Sequence, residues 1–172
     1  MYRRFSVFTL LACLASNPGA NADPIHAVNG GGYWHHDSHW VFPERIGEFV
    51  RVGIPQDVAG SEDAVAHYAW IENGIRNTAS VDVFRTSSAA ADGHAQAAGQ
   101  LSSEGAFRLS DAQALAGTRQ IYTSGVTETP ALTGVYSMIA GEWRVTIRIH
   151  ASRIETMDAF VSGQRWDTLT DH

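Results

Sequence analysis

The stretch from Ala140 to His150 constrains the fold most. Ala140-Gly141 supplies a tight turn, and beyond it Val145, Ile147 and Ile149 alternate with Arg144, Thr146, Arg148 and His150. Alternation at period two puts apolar side chains on one face of a strand and polar ones on the other. A half-buried strand reached through so short a turn is one arm of an antiparallel hairpin, with Leu132 to Ala140 as the other. A lone hairpin is not stable in water. It needs more strands and a layer over its apolar face.

Further strands are legible upstream. Phe49 to Ile54, Ala64 to Ile71 and Thr78 to Arg85 each read as extended. In the last, Ala79, Val81 and Val83 alternate with Ser80 and Asp82, and Glu72-Asn73-Gly74 precedes it as a turn. Arg119 to Ser124, Leu132 to Ala140 and Glu142 to His150 form a second set. Between the sets, Ser87 to Gly117 is rich in Ala and has no β-branched residue. This predicts helix, interrupted at Gly99 and Gly105, with a second piece over Ala112 to Ala116 capped by Ser110-Asp111. After Arg153, the residues Ile154, Met157, Phe160 and Val161 recur at helical spacing, and Gly163 ends the pattern. The expected fold class is α+β: an antiparallel sheet with flanking helices, built as two strand-strand-strand-helix halves in one domain over residues 42–172.

The front of the chain has a different character. Arg3 and Arg4 precede the apolar run from Phe5 to Ala15; Ser16, Asn17, Pro18 and Gly19 break it, and Ala20-Asn21-Ala22 follows. A basic start, a short apolar core and a small-x-small site are the three parts of a secretory signal peptide, here residues 1–22. The run is shorter than the roughly 20 residues a membrane span needs, and no transmembrane span is expected elsewhere. The expected location is the periplasm or the exterior. Leu10-Leu11-Ala12-Cys13 also loosely matches a lipobox, which would make Cys13 a lipid anchor. Cys13 is the single cysteine of the chain, so cleavage after Ala22 leaves none for disulfides, thiol catalysis or thiolate metal sites.

Charge narrows the partners. The 172 residues carry 12 basic and 18 acidic side chains, a net charge of −6. All twelve basic residues are Arg, which removes Schiff-base and lysine-base chemistry. An acidic chain is a poor general nucleic-acid binder, since that task needs a basic face. The expected partner is another periplasmic or envelope protein.

Two segments carry a resemblance. The opening Phe42-Pro43-Glu44-Arg45-Ile46-Gly47-Glu48-Phe49 is similar to the start of small uncharacterised exported proteins of Gram-negative bacteria. Trp143-Arg144-Val145-Thr146-Ile147-Arg148 resembles their C-terminal hairpin, and the element order is similar to the PsbP-like and Mog-type α/β sandwich. The resemblance spans about Phe42 to Phe160. It implies an antiparallel sheet flanked by helices and a binding or assembly role, and it supplies no catalytic residues.

Chemistry concentrates in two places. Residues 23–41 form a flexible arm in which Gly30-Gly31-Gly32 leads into Tyr33-Trp34-His35-His36-Asp37-Ser38-His39-Trp40. His35, His36, Asp37 and His39 offer imidazole and carboxylate donors for Zn or Cu, with His26 as a further nitrogen. Tyr33, Trp34 and Trp40 are aromatic anchors for a partner. The second place is the polar face of the last strand. There Arg144 and Arg148 lie on one side about 13 Å apart by strand rise and suit an anion or a partner's carboxylates. Cross-strand pairing with an internal acid such as Asp82 is the plainer use of the same charges. No helix-borne His-Glu-x-x-His, nucleophile elbow, phosphate loop or dinucleotide fingerprint is present. No catalytic or cofactor-binding residues are therefore assigned. The expected function is a non-enzymatic exported binding or assembly module. Metal binding through the His-rich arm is the first alternative, and a secreted enzyme without a recognisable motif, with a pocket lined by His67, His150 or acids, is the second.

Overall fold

A computed structural model describes residues 25–57, 63–87, 93–114, 117–124 and 132–166. The signal peptide over residues 1–22 and the lipid-anchor position Cys13 lie outside the described residues. The described chain begins with β1 (Ile25–Val28), β2 (Gly32–His35) and β3 (Val41–Phe42), which pair antiparallel into a small sheet. Then come β4 (Arg45–Ile46), β5 (Phe49–Arg51), β6 (Gln56–Asp57), β7 (Ala64–Glu72) and β8 (Ile75–Arg85). After α1 (Gly93–Ser103) follow β9 (Ala106–Ala114), β10 (Gly117–Ser124), β11 (Leu132–Ala140), β12 (Trp143–Ala151) and α2 (Ile154–Ser162). Strands β4 to β12 form one antiparallel sheet in the order β4-β5-β7-β8-β12-β11-β10-β9, with β6 also on β7.

The architecture corrects the α+β expectation. The chain is mainly β, with two helices among the described residues, and the two strand-strand-strand-helix halves do not exist. The decisive segment is Ala106–Ala114. The sequence predicts helix here beyond the interruption at Gly105, with a second piece capped by Ser110-Asp111; it is instead strand β9, paired with β10 from Ala106↔Ser124 to Ala114↔Gly117. Gly105, at φ 80, closes α1 with a left-handed residue that lets the chain double back. Beyond it Phe107, Arg108 and Leu109 already alternate, and pairing to β10 overrides the weak helical propensity of the alanines. Among the described residues no helix is long and apolar enough to cross a membrane.

Two hairpins fix the register. Asn73 and Gly74 both take positive φ, 51 and 79, as the two-residue turn joining β7 to β8 requires. Gly141, at φ 57, joins β11 to β12. The inner face of the sheet is apolar. It presents Ala64, Ala66 and Tyr68 from β7, Val81 and Val83 from β8, and Val145, Ile147 and Ile149 from β12, all buried. Helix α2 packs here through Met157, Phe160 and Val161, with the Phe160 ring 4.8 Å from that of Phe49 and 5.4 Å from that of Tyr68. Gly163 ends α2 as its spacing suggested, but at φ −81; what it provides is room, since a Cβ there would sit 2.9 Å from Cγ2 of Ile46.

The small sheet closes the same core. The segment expected as a flexible arm enters strands from residue 25 onward; Gly30 and Gly31, at φ 82 and 74, lie in the β1–β2 turn, and Gly32 begins β2. Trp40 is fully buried against Trp166 at 5.4 Å between rings. Arg51 of β5 clamps the two sheets: its guanidinium donates to the carbonyls of Phe42 and Gly31 at 2.7 Å each and stacks over the Tyr33 ring at 4.6 Å. The Tyr68 hydroxyl donates to the carbonyl of Pro43 at 3.1 Å.

Candidate functional site

The outer face of the same strands is polar, and cross-strand register decides which groups meet there. Directly opposed residues of an antiparallel pair share a face. His67, Ser80 and Arg148 therefore form one row across β7, β8 and β12; Ala69, Thr78 and His150 form the next; Val65, Asp82 and Thr146 form the row on the other side. Helix α1 covers only part of this face. Its Leu101 packs with Val135 and Tyr122, and its Gln100 and the Glu104 that follows it receive hydrogen bonds from the Arg148 guanidinium at 3.1 and 3.3 Å.

Two hollows remain. One, of about 450 Å³, is lined by Arg76, Arg148, His67 and His150 over a floor that includes the hydroxyls of Thr78 and Ser80. Among the described residues no carboxylate side chain lines it. The other, of about 370 Å³, lies between the sheet and α1 and holds Asp82, Thr146 and Gln96. Ser80 and Arg148 line both.

The charges are unevenly satisfied. Arg76 is exposed and makes no ion pair or hydrogen bond with a described residue. The Arg148 Nε donor is buried and lacks an acceptor among the described residues. His150 shares a 2.8 Å hydrogen bond with the Thr133 hydroxyl through Nδ1. Desolvation, with the charge of Arg148 second, pushes the His150 pKa below its ordinary value. Burial pushes the Asp82 carboxyl above its ordinary value, against the opposing pull of the Ser80 hydroxyl, His67 and Arg148. The Ser80 hydroxyl donates to the Asp82 carboxylate at 3.2 Å. The arrangement is equipped to hold negative charge.

The residues singled out from the sequence fall in three settings. Arg148 is at the centre of the outer face. Arg144 is on the same face four residues earlier, half-buried, and lines neither hollow. The aromatic and histidine residues of the small sheet lie apart. His35 is fully buried, its Nδ1 2.7 Å from the Ser38 hydroxyl and its ring against Trp143 at 5.3 Å. His36 is exposed and bonds Asp37 at 2.8 Å, an interaction that holds the Asp37 carboxyl below its usual range. His39 and His36 flank the half-buried Trp34 at 5.6 and 5.3 Å between rings, and His26 lies 6.3 Å from both Trp34 and His36. The fold thus places His35 in the core and leaves His36 and His39 outside. Among the described residues no three His, Cys, Asp or Glu side chains converge on one metal-sized point. Of the aromatic anchors, Tyr33 and Trp34 are half-buried and Trp40 is inaccessible.

Sequence reasoning did not join His67, Ser80, Arg76 and Thr78 to Arg148. The Asn73-Gly74 turn sets the His67–Ser80 pairing and was readable. The β8–β12 pairing that brings Arg148 beside Ser80 has no local signal, because these strands are not hairpin partners. No family model, curated protein or solved structure matches the chain.

Proposed function

We propose that the chain is an exported, non-enzymatic binding module whose ligand is a small anion held on the outer face of the large sheet. One observation carries this reading: two arginines and two histidines surround a hydroxyl-bearing floor, and among the described residues no carboxylate is in the lining. A hollow of about 450 Å³ is within the range of small-molecule sites. Arginine and imidazole donors on rigid strands recognise carboxylate or phosphate oxygens without further machinery. The signal-peptide pattern of residues 1–22 supports the exported setting.

The test is to titrate the folded chain with inorganic phosphate and with hexanoate while following backbone amide shifts. The expected shifts cluster on β8 and β12, and Arg76→Ala weakens binding at least about tenfold, the loss of one charge-assisted contact. Arg45→Ala, an exposed arginine on another part of the sheet, serves as the control. Equal weakening by the two variants would reduce the effect to net charge and sink the proposal.

A further inference from the structure

We infer that the preferred occupant of the outer-face hollow is a medium-chain carboxylate, its head on Arg148 and Arg76 and its chain along an apolar wall formed by β5 and β7. The inference rests on the anion-site reading above and names the ligand class.

The wall is the first argument. Val50 pairs with Ala69, which pairs with Thr78, so Val50 is on the outer face in the row that ends at His150. Val52 lines the hollow itself, and its amide donates to the carbonyl of His67 at 2.7 Å. Ile71 lies opposite Arg76. These three are 38%, 53% and 69% exposed. Three branched aliphatics thus stand on the otherwise polar face, Val52 in the hollow and Ile71 opposite Arg76, which makes no ion pair or hydrogen bond with a described residue, and together they make this surface amphipathic. A ligand with charge at one end and hydrocarbon at the other matches it. A bare inorganic anion would leave the wall in water.

The head group is the second argument. Glu104, just after α1, already places a carboxylate against Arg148 at 3.3 Å, and its own side chain is 60% exposed. With Glu104 so exposed and the pair this long, the contact is weak, and an incoming carboxylate can take its place. Arg148 also holds a buried Nε without an acceptor among the described residues. The fold therefore shows Arg148 accepting a carboxylate from a tethered stand-in.

Calorimetric titration of the folded chain with acetate, hexanoate, octanoate, octanamide and octyl phosphate tests this. Affinity is expected to rise roughly two- to fourfold for each added methylene, and octanoate is expected to bind at least about tenfold tighter than neutral octanamide. Glu104→Gln removes the competing carboxylate and raises octanoate affinity about two- to fivefold. Val52→Ser lowers octanoate affinity and leaves that of acetate unchanged; the site is exposed, so the variant folds. Acetate binding as tightly as octanoate overturns the chain while leaving the anion site standing. Octanamide equalling octanoate, or octyl phosphate exceeding it, overturns the carboxylate head. No binding by any anion removes the site itself, and with it the reading beneath this one.

Discussion

The two faces of the large sheet are made from the same strands and obey different rules. On β12, Val145, Ile147 and Ile149 are sealed under α2 and the small sheet, while Thr146, Arg148 and His150 on the alternate positions meet α1 and two hollows. The inner face excludes water and contributes most of the stabilisation, because each buried branched aliphatic adds about 1.5–3 kcal/mol. The outer face holds polar groups that are only partly satisfied: the Arg148 Nε and Thr146 Oγ1 atoms are buried without partners among the described residues. Such groups cost stability. A face that tolerates that cost is where binding chemistry is expected to reside, and the stability for it comes from the opposite side of the sheet.

The largest effect should therefore come from the inner face. Ile147 is fully buried between β8 and β11, and Ile147→Ala should destabilise the chain by about 2–5 kcal/mol. Ser80→Ala, on the outer face of the neighbouring strand beside Val81, the partner of Ile147, should cost less, about 1 kcal/mol. Urea denaturation of both variants measures the contrast. Losses of similar size would mean that the outer face is also a packed core and that the hollows are not open sites.

How far the sequence reveals this contrast depends on the distance between partners. The division of β12 into two faces was readable residue by residue, as were the Asn73-Gly74 turn, the hairpin before β12 (whose turn is Gly141-Glu142, one residue later than Ala140-Gly141) and the helix from Ile154, because each signal lies within a few residues. Strand β9 was not, since alanine-rich sequence has little intrinsic preference against pairing and the deciding contact is with β10. The segment from residue 25 to Trp40 read as an arm because glycine runs suit linkers; the same glycines make a turn once Trp40 and His35 have a core to enter. The candidate site was half visible. Arg148 stood out as a charge on a strand face, whereas its row with Ser80 and His67 requires β8 to pair with a strand more than sixty residues away.

A second test uses pH to probe the outer face. Burial raises the Asp82 carboxyl above its ordinary 3.8. The unfolded chain releases that proton near 3.8 and the folded chain keeps it to higher pH, so in this window folding binds a proton and stability falls as pH rises. Once pH exceeds the folded value the loss is complete. Asp82→Asn removes this slope. Relative to the parent, the variant should gain stability as pH climbs out of the acid range, and the two should converge near pH 3–4. Thermal melts across pH 3 to 8 supply the comparison. A parent that instead gains on the variant with rising pH would show that Arg148 and His67 stabilise the ionised carboxylate more than burial penalises it, and would make hollow and charge a designed ion pair.

The smallest effect is the sharpest discriminator, because it separates a merely tolerated polar group from a used one. Thr146 is 3% exposed, lines the hollow beside α1 and shares a row with Asp82. Its hydroxyl has no partner among the described residues, yet the side chain is surrounded by packed neighbours. Thr146→Val keeps the shape and removes the unsatisfied oxygen, which should stabilise the chain by up to about 1 kcal/mol. If the hydroxyl exists only because the outer face is polar, the gain appears and anion affinity is unchanged. If the same variant gains stability but loses affinity, Thr146 belongs to the recognition surface and the ligand reaches from the arginine-lined hollow into the one under α1. A loss of stability would contradict the division between the faces, because it would show an outer-face oxygen contributing to the fold as the inner-face aliphatics do.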